Sequence, residues 1–273
     1  MCSSDLPITA KALSVTGATA ADRTYNGLAT ASVDVTGAAL SGVVDGDAVT
    51  LVTTGVTATF PDKAVGAGRT VTFAGFTITG DDATNYALVQ PTTTATITAK
   101  GLAVTGLAGT SRAYDGTRVA AASGSATLAG VVEGDTVTLG GTPVYTFAQA
   151  GIGTGIAIAT TGYTITGDDA ASYTLAQPSL SADITAVALT ATVTVNGRTY
   201  DGTTGATIAS CTLTGVVGTE DVTCDATDAT ATFASPHAGS RSVSITGLTL
   251  AGADAGNYTL ASIAPVKIGR AHV

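Results

Sequence analysis

The sequence predicts an all-β chain of three tandem antiparallel β-sandwich domains in an elongated array, with β-grasp-like repeats as the alternative. Three observations carry this. Thr and Val alternate through many short segments, a pattern that suits half-buried strands. No segment sustains the apolar period of an amphipathic helix, so almost no helix is expected. Two landmarks recur in step: Tyr25-Asn26-Gly27, Tyr114-Asp115-Gly116 and Tyr200-Asp201-Gly202 lie 89 and 86 residues apart, and Tyr86, Tyr173 and Tyr258 follow at 87 and 85. Two landmarks keeping one period mark a tandem array, with repeats over 8–97, 98–184 and 185–266.

Each repeat reads as a succession of strands. An opening strand such as 11–15 leads to the Tyr-Asx-Gly turn, where Asn or Asp before Gly favours positive φ. A hairpin follows around Gly-Val-Val-Asp-Gly-Asp (42–47), Gly-Val-Val-Glu-Gly-Asp (130–135) and Gly-Val-Val-Gly-Thr-Glu (215–220). Next come a strand ending at Phe60, Phe147 or Phe233, a Gly-rich connection, and a strongly alternating strand such as 69–73. A corner closes the repeat over 78–88, 165–175 and 250–260: an apolar strand stops at Gly, Asp follows, and Tyr-x-Leu opens a new strand. The junctions 97–100 and 184–187 carry no Gly/Ser or Pro linker, which predicts stiffly connected neighbours. Domains about one ten-residue strand long would place three in a rod of roughly 100 Å.

The two ends read differently. Residues 1–6 can be encoded by GTG TGC TCT TCC GAT CT, and the reverse complement of that string encodes 267–272 once one base is added in front. The segments 1–7 and 267–273 are therefore expected to be translated adapter DNA, and 8–266 a fragment of a longer frame. Without Asp5, Lys267 and Arg270, acidic residues fall from 20 to 19 and basic ones from 11 to 9, so the formal charge moves from -9 to -10.

The acidic balance argues against nucleic acid, whose binding needs Lys and Arg to displace counterions. No apolar run approaches the roughly 20 residues of a membrane helix, so no membrane insertion is expected in this segment. An apolar content of 45% excludes a disordered acidic tail.

Candidate sites are few. Asp81, Asp82, Asp168, Asp169 and Asp254 supply corner oxygens that suit either calcium, which takes six to eight, or Asx-turn capping; Ala253 replaces one Asp in the third copy, which favours capping. Cys211 and Cys224 replace Ala126 and Leu139, or Ala38 and Leu51, on the two arms of the hairpin, which points to facing positions and a disulfide or two buried thiols. His237 has no counterpart in the other copies, so no catalytic residue, metal or cofactor is expected. Nor does Lys11, matched by Lys100 but by Val187 in the third copy, support an isopeptide bond common to all three.

The run Asp254-Ala255-Gly256-Asn257-Tyr258-Thr259-Leu260 resembles the tyrosine corner of immunoglobulin-like sandwiches, whose Tyr hydroxyl bonds to backbone a few residues upstream. Tyr-Asp-Gly, Gly-Val-Val-x-Gly-Asp and the corner together resemble the YDG-type repeats of very large bacterial exoproteins, the filamentous-haemagglutinin-like adhesins. That resemblance covers about 8–266; Asn26, Val187 and the Cys pair depart from its pattern. It implies a secreted, cell-surface array serving as stalk or multivalent binder, in which each repeat folds alone and its partners are neighbouring repeats and host or environmental glycan or protein. The rival expectation is a glycan-binding module at exposed loops formed by Tyr25, Asn26 and Gly27, by Tyr114, Asp115 and Gly116, and by Tyr200, Asp201 and Gly202, with Tyr86, Tyr173 and Tyr258 as structural corners.

Overall fold

The computed structural model describes residues 7–261, 263 and 266–268. The remainder of the two expected adapter segments lies outside the described residues. The chain is all-β: no α-helix occurs among the described residues, and the only helical turns there are three 3-10 turns, Ala83–Asn85, Ala170–Ser172 and Ala255–Asn257, one at each corner.

The opening strand of every repeat pairs in parallel with the strand that follows its corner tyrosine. The registers are Lys11↔Tyr86, Lys100↔Tyr173 and Val187↔Tyr258. Parallel neighbours need a long crossover, and here nearly the whole repeat supplies it. The short strand before the Tyr-Asx-Gly turn, Arg23–Thr24 or Arg112–Ala113, pairs in parallel with the last strand of its repeat, Thr92–Thr98 or Leu180–Thr185. All other pairings within the units are antiparallel, among them Gly66–Ala74 with Thr92–Thr98 and Val187–Val195 with Ile208–Thr214.

Compactness does not follow the sequence period. Unit 1 comprises Met1–Thr105, Ala126–Thr142 and Gly162–Gln177; unit 2 comprises Gly106–Ser125, Pro143–Thr161 and Pro178–Val273. Each unit takes part of the second repeat. In unit 1 one core joins Tyr25, Phe60, Val71, Phe73 and Ile97 of the first repeat to Leu102 and Tyr173 of the second, with Val131, Val132 and Val137 packed against it. Unit 2 repeats the scheme with Tyr114, Phe147 and Ile184 of the second repeat against Leu189 and Tyr258 of the third, and Val216, Val217 and Val222 alongside. Burying one such aromatic side chain stabilises by about 1.5–3 kcal/mol, so a large share of each core is made across a repeat boundary.

The corner depends on its glycine. Gly80, Gly167 and Gly252 hold φ of +121°, +118° and +112°, and a Cβ on them would meet the carbonyl oxygens of Ala48, Thr136 and Asp221 at 2.1, 2.4 and 2.2 Å. Only a residue without Cβ lets the corner lie this close to the hairpin arm.

Candidate functional site

Every corner tyrosine is buried and aimed at the hairpin of its own repeat. The hydroxyls of Tyr86, Tyr173 and Tyr258 accept the backbone N–H of Val44, Val132 and Val217 at 3.0, 2.9 and 3.0 Å. Each hydroxyl then donates to the last carboxylate of the hairpin motif, Asp47, Asp135 or Glu220. The bond thus spans 41 or 42 residues, which corrects the expectation of a bond to backbone only a few residues upstream. The corner carboxylate present in all three copies has its own task. Asp82, Asp169 and Asp254 accept the backbone N–H of Ala48, Thr136 and Asp221 at 2.8, 2.9 and 2.9 Å, clamping the corner to the hairpin arm.

The Tyr-Asx-Gly motif is built from its Asx. Asn26, Asp115 and Asp201 each use Oδ1 to accept the N–H two residues on, at 3.0, 2.8 and 2.9 Å, an Asx-turn. Only an acceptor oxygen is needed there, so Asn26 serves as well as Asp. Two residues before the tyrosine stands an arginine, Arg23, Arg112 or Arg198, which bonds the Asx side chain and lies 5.3–5.4 Å over the ring of Phe60, Phe147 or Phe233. These arginines escaped the sequence reading, although their spacing to the tyrosine is constant and was there to be seen.

The two motifs meet across repeat boundaries. In unit 1 the Tyr25 hydroxyl donates to Asp135 Oδ2 at 2.8 Å, and the Tyr173 hydroxyl donates to the same oxygen at 2.6 Å. The two rings sit edge to face, 5.4 Å between centroids. Lys63 Nζ adds ion pairs of 2.7 Å to both Asp135 and Asp169. In unit 2 the Tyr114 hydroxyl donates to Glu220 Oε1 at 2.5 Å, Tyr258 donates to Oε2, and the rings stand 5.6 Å apart edge to face. Ala150 holds the position of Lys63, counted from Phe147, so this copy of the junction rests on the two tyrosines. The motif glycine lies in the same contact: a Cβ on Gly27 would meet Val132 at 2.9 Å, and one on Gly116 would meet Glu220 and Val217 at 3.3 and 3.4 Å.

The electrostatics follow from this packing. Burial raises the Asp135 carboxyl, but hydrogen bonds from Lys63, Tyr173 and Tyr25 outweigh it and hold the group below its usual range. Lys63 is raised by its bonds to Asp135 and Asp169. The Glu220 hydrogen bond and burial push Tyr114 up to about 12, and burial with the Asp135 bond pushes Tyr173 up to about 12.

Exposure of the motif tyrosines therefore differs between copies. Tyr25 is 2% exposed and Tyr114 7%, whereas Tyr200 is 64% exposed. This corrects the expectation of three exposed ligand loops, because a following hairpin covers two of the rings. Cys211 and Cys224 are joined by a disulfide with Cα atoms 5.9 Å apart. It links the strand Ile208–Thr214 to Thr223–Asp225, which belong to different sheets. His237 lies exposed in a loop, its N–H on Ser235 Oγ at 3.3 Å. No group of three or more metal-ligating side chains assembles among the described residues.

A family model described as YDG domain matches the chain three times, over residues 9–95, 98–180 and 185–265. Among the curated proteins and among the solved structures, nothing matches the chain. With three matches that together span most of its length, the chain belongs to the YDG domain family as a tandem array of three repeats.

Proposed function

We propose that this array is a structural and adhesive segment of a secreted bacterial surface protein, of the filamentous-haemagglutinin-like kind, acting as a stalk or multivalent binder without catalytic activity. The observation that carries this reading is the junction: the front motif of one repeat is buried in the hairpin of the next, so adjacent repeats stabilise each other. An array built so transmits position along the chain while linked copies multiply weak contacts. The Cys211–Cys224 disulfide supports an oxidising location outside the cytosol. Display of the chain on a non-adherent bacterium tests the adhesive part. Retention under flow on glycan- or protein-coated surfaces is expected to rise, and retention equal to that of undisplayed cells defeats it.

A second reading, glycan binding, has one observation in its favour: Tyr200 presents an exposed ring beside the Arg198–Phe233 stack. Glycan-array binding abolished by Tyr200→Ala supports it. Binding that is indifferent to this substitution removes it.

A further inference from the structure

The junction occurs twice within the chain, and each of its halves occurs once more without a partner. The front half at the third repeat comprises Tyr200, Gly202 and Phe233. Tyr200 is 64% exposed and its hydroxyl has no partner among the described residues, while Phe233 is half-buried where Phe60 and Phe147 are 3% and 0% exposed. A Cβ on Gly202 would meet only the Tyr200 hydroxyl, at 3.9 Å, where Gly27 and Gly116 face a valine of the next hairpin. The back half at the first repeat comprises Val44, Asp47 and Tyr86. Val44 is 47% exposed, while Val132 and Val217 at the same position pack against the two cores. Asp47 accepts the Tyr86 hydroxyl, but among the described residues no tyrosine from a preceding motif reaches it as Tyr25 reaches Asp135.

We propose that the Tyr200 face of one molecule docks on the Val44–Asp47–Tyr86 face of a second copy, repeating the internal junction between chains. The complementarity is the one seen within both units: a phenol donates to a hairpin carboxylate already held by the corner tyrosine, the two rings meet edge to face, and the hairpin valine covers the motif glycine. The contact joins different surfaces of the two molecules, so it adds head to tail and does not close at two. Within the chain the covalent link holds the halves at an effective concentration of about millimolar. Between chains the same contact lacks that advantage, so association is expected at micromolar to millimolar protein.

Sedimentation velocity of the full chain with Cys2→Ser, which removes thiol oxidation, tests this over that range. The weight-average mass is expected to rise with concentration and to pass beyond the dimer. Tyr200→Ala and Val44→Asp each act at an exposed position and should weaken association at least tenfold while circular dichroism stays unchanged. An equimolar mixture of the two variants keeps one intact face of each kind and should give dimers that grow no further. A chain that stays monomeric throughout, or variants that associate as the parent does, overturns the proposal. So does a glycan bound at Tyr200 in the absence of self-association.

Discussion

At the scale of single residues, a carboxylate shared by two phenols holds each junction. Hydrogen bonds to a charged acceptor contribute more than neutral ones, about 1.5–3 kcal/mol each. Tyr25→Phe and Tyr114→Phe keep the rings and remove only the donor, and in both cases the carboxylate retains the corner tyrosine. Each is expected to cost about 1–2 kcal/mol, against about 0.5 kcal/mol or less for exposed Tyr200→Phe, as read from chemical denaturation. Equal effects at all three positions contradict the junction geometry. Alkali probes the same groups. The folded pKa values of Tyr114 and Tyr173 are raised to about 12, above the ordinary value of about 10 for an unfolded tyrosine. Their contribution is therefore complete below pH about 10 and is lost as pH rises towards about 12. Melting temperature should fall across that window, and a flat profile there argues against the shared carboxylates. Acid acts with the opposite sign: Asp135 and Asp169 are depressed, so the stability they add is present above about pH 4 and disappears as pH drops through their folded values.

At the scale of elements, the corner works because a glycine, a carboxylate and a tyrosine all address one hairpin arm. Gly167 and Gly134 both hold positive φ, +118° and +87°, but only Gly167 faces backbone, at 2.4 Å from the Thr136 carbonyl. Gly134→Ala should cost about 1–2 kcal/mol through its dihedral alone. Gly167→Ala should cost clearly more, because the hairpin arm must also move. Similar losses for the two, compared by urea titration, would leave the close approach without energetic weight. The disulfide acts at the same scale. It closes a loop with a sequence separation of 13, and replacing both cysteines, Cys211→Ala with Cys224→Leu as at the second repeat's positions, is expected to cost about 3 kcal/mol. A double variant that melts as the parent does would show that the apolar pair substitutes fully.

At the scale of the whole molecule, folding and repetition have different boundaries. The expectation that each repeat folds alone gives way to a prediction from the two cores: excised residues 98–184 leave Tyr114 and Phe147 without Leu189, Glu220 and Tyr258. That fragment should unfold at a markedly lower denaturant concentration than the same residues in the full chain, and an unchanged midpoint would show that the shared cores add little. An array of this kind gains stability with each neighbour, as in other repeat proteins where interfaces between units supply much of the total.

Much of this was legible in the sequence. The strand alternation, the period, the hairpin and corner positions and the facing cysteines are all properties of local pattern, because side-chain alternation and turn chemistry act within a few residues. The destination of the Tyr-Asx-Gly tyrosine was not. Tyr25 bonds Asp135, 110 residues away, and not Asp47 of its own repeat; Tyr114 bonds Glu220, 106 residues away, and not Asp135. A tandem sequence looks the same after a shift of one period, so pairing within a repeat and pairing with the next leave identical patterns. Only the tertiary structure distinguishes them, because it alone shows which hairpin the chain brings over the ring.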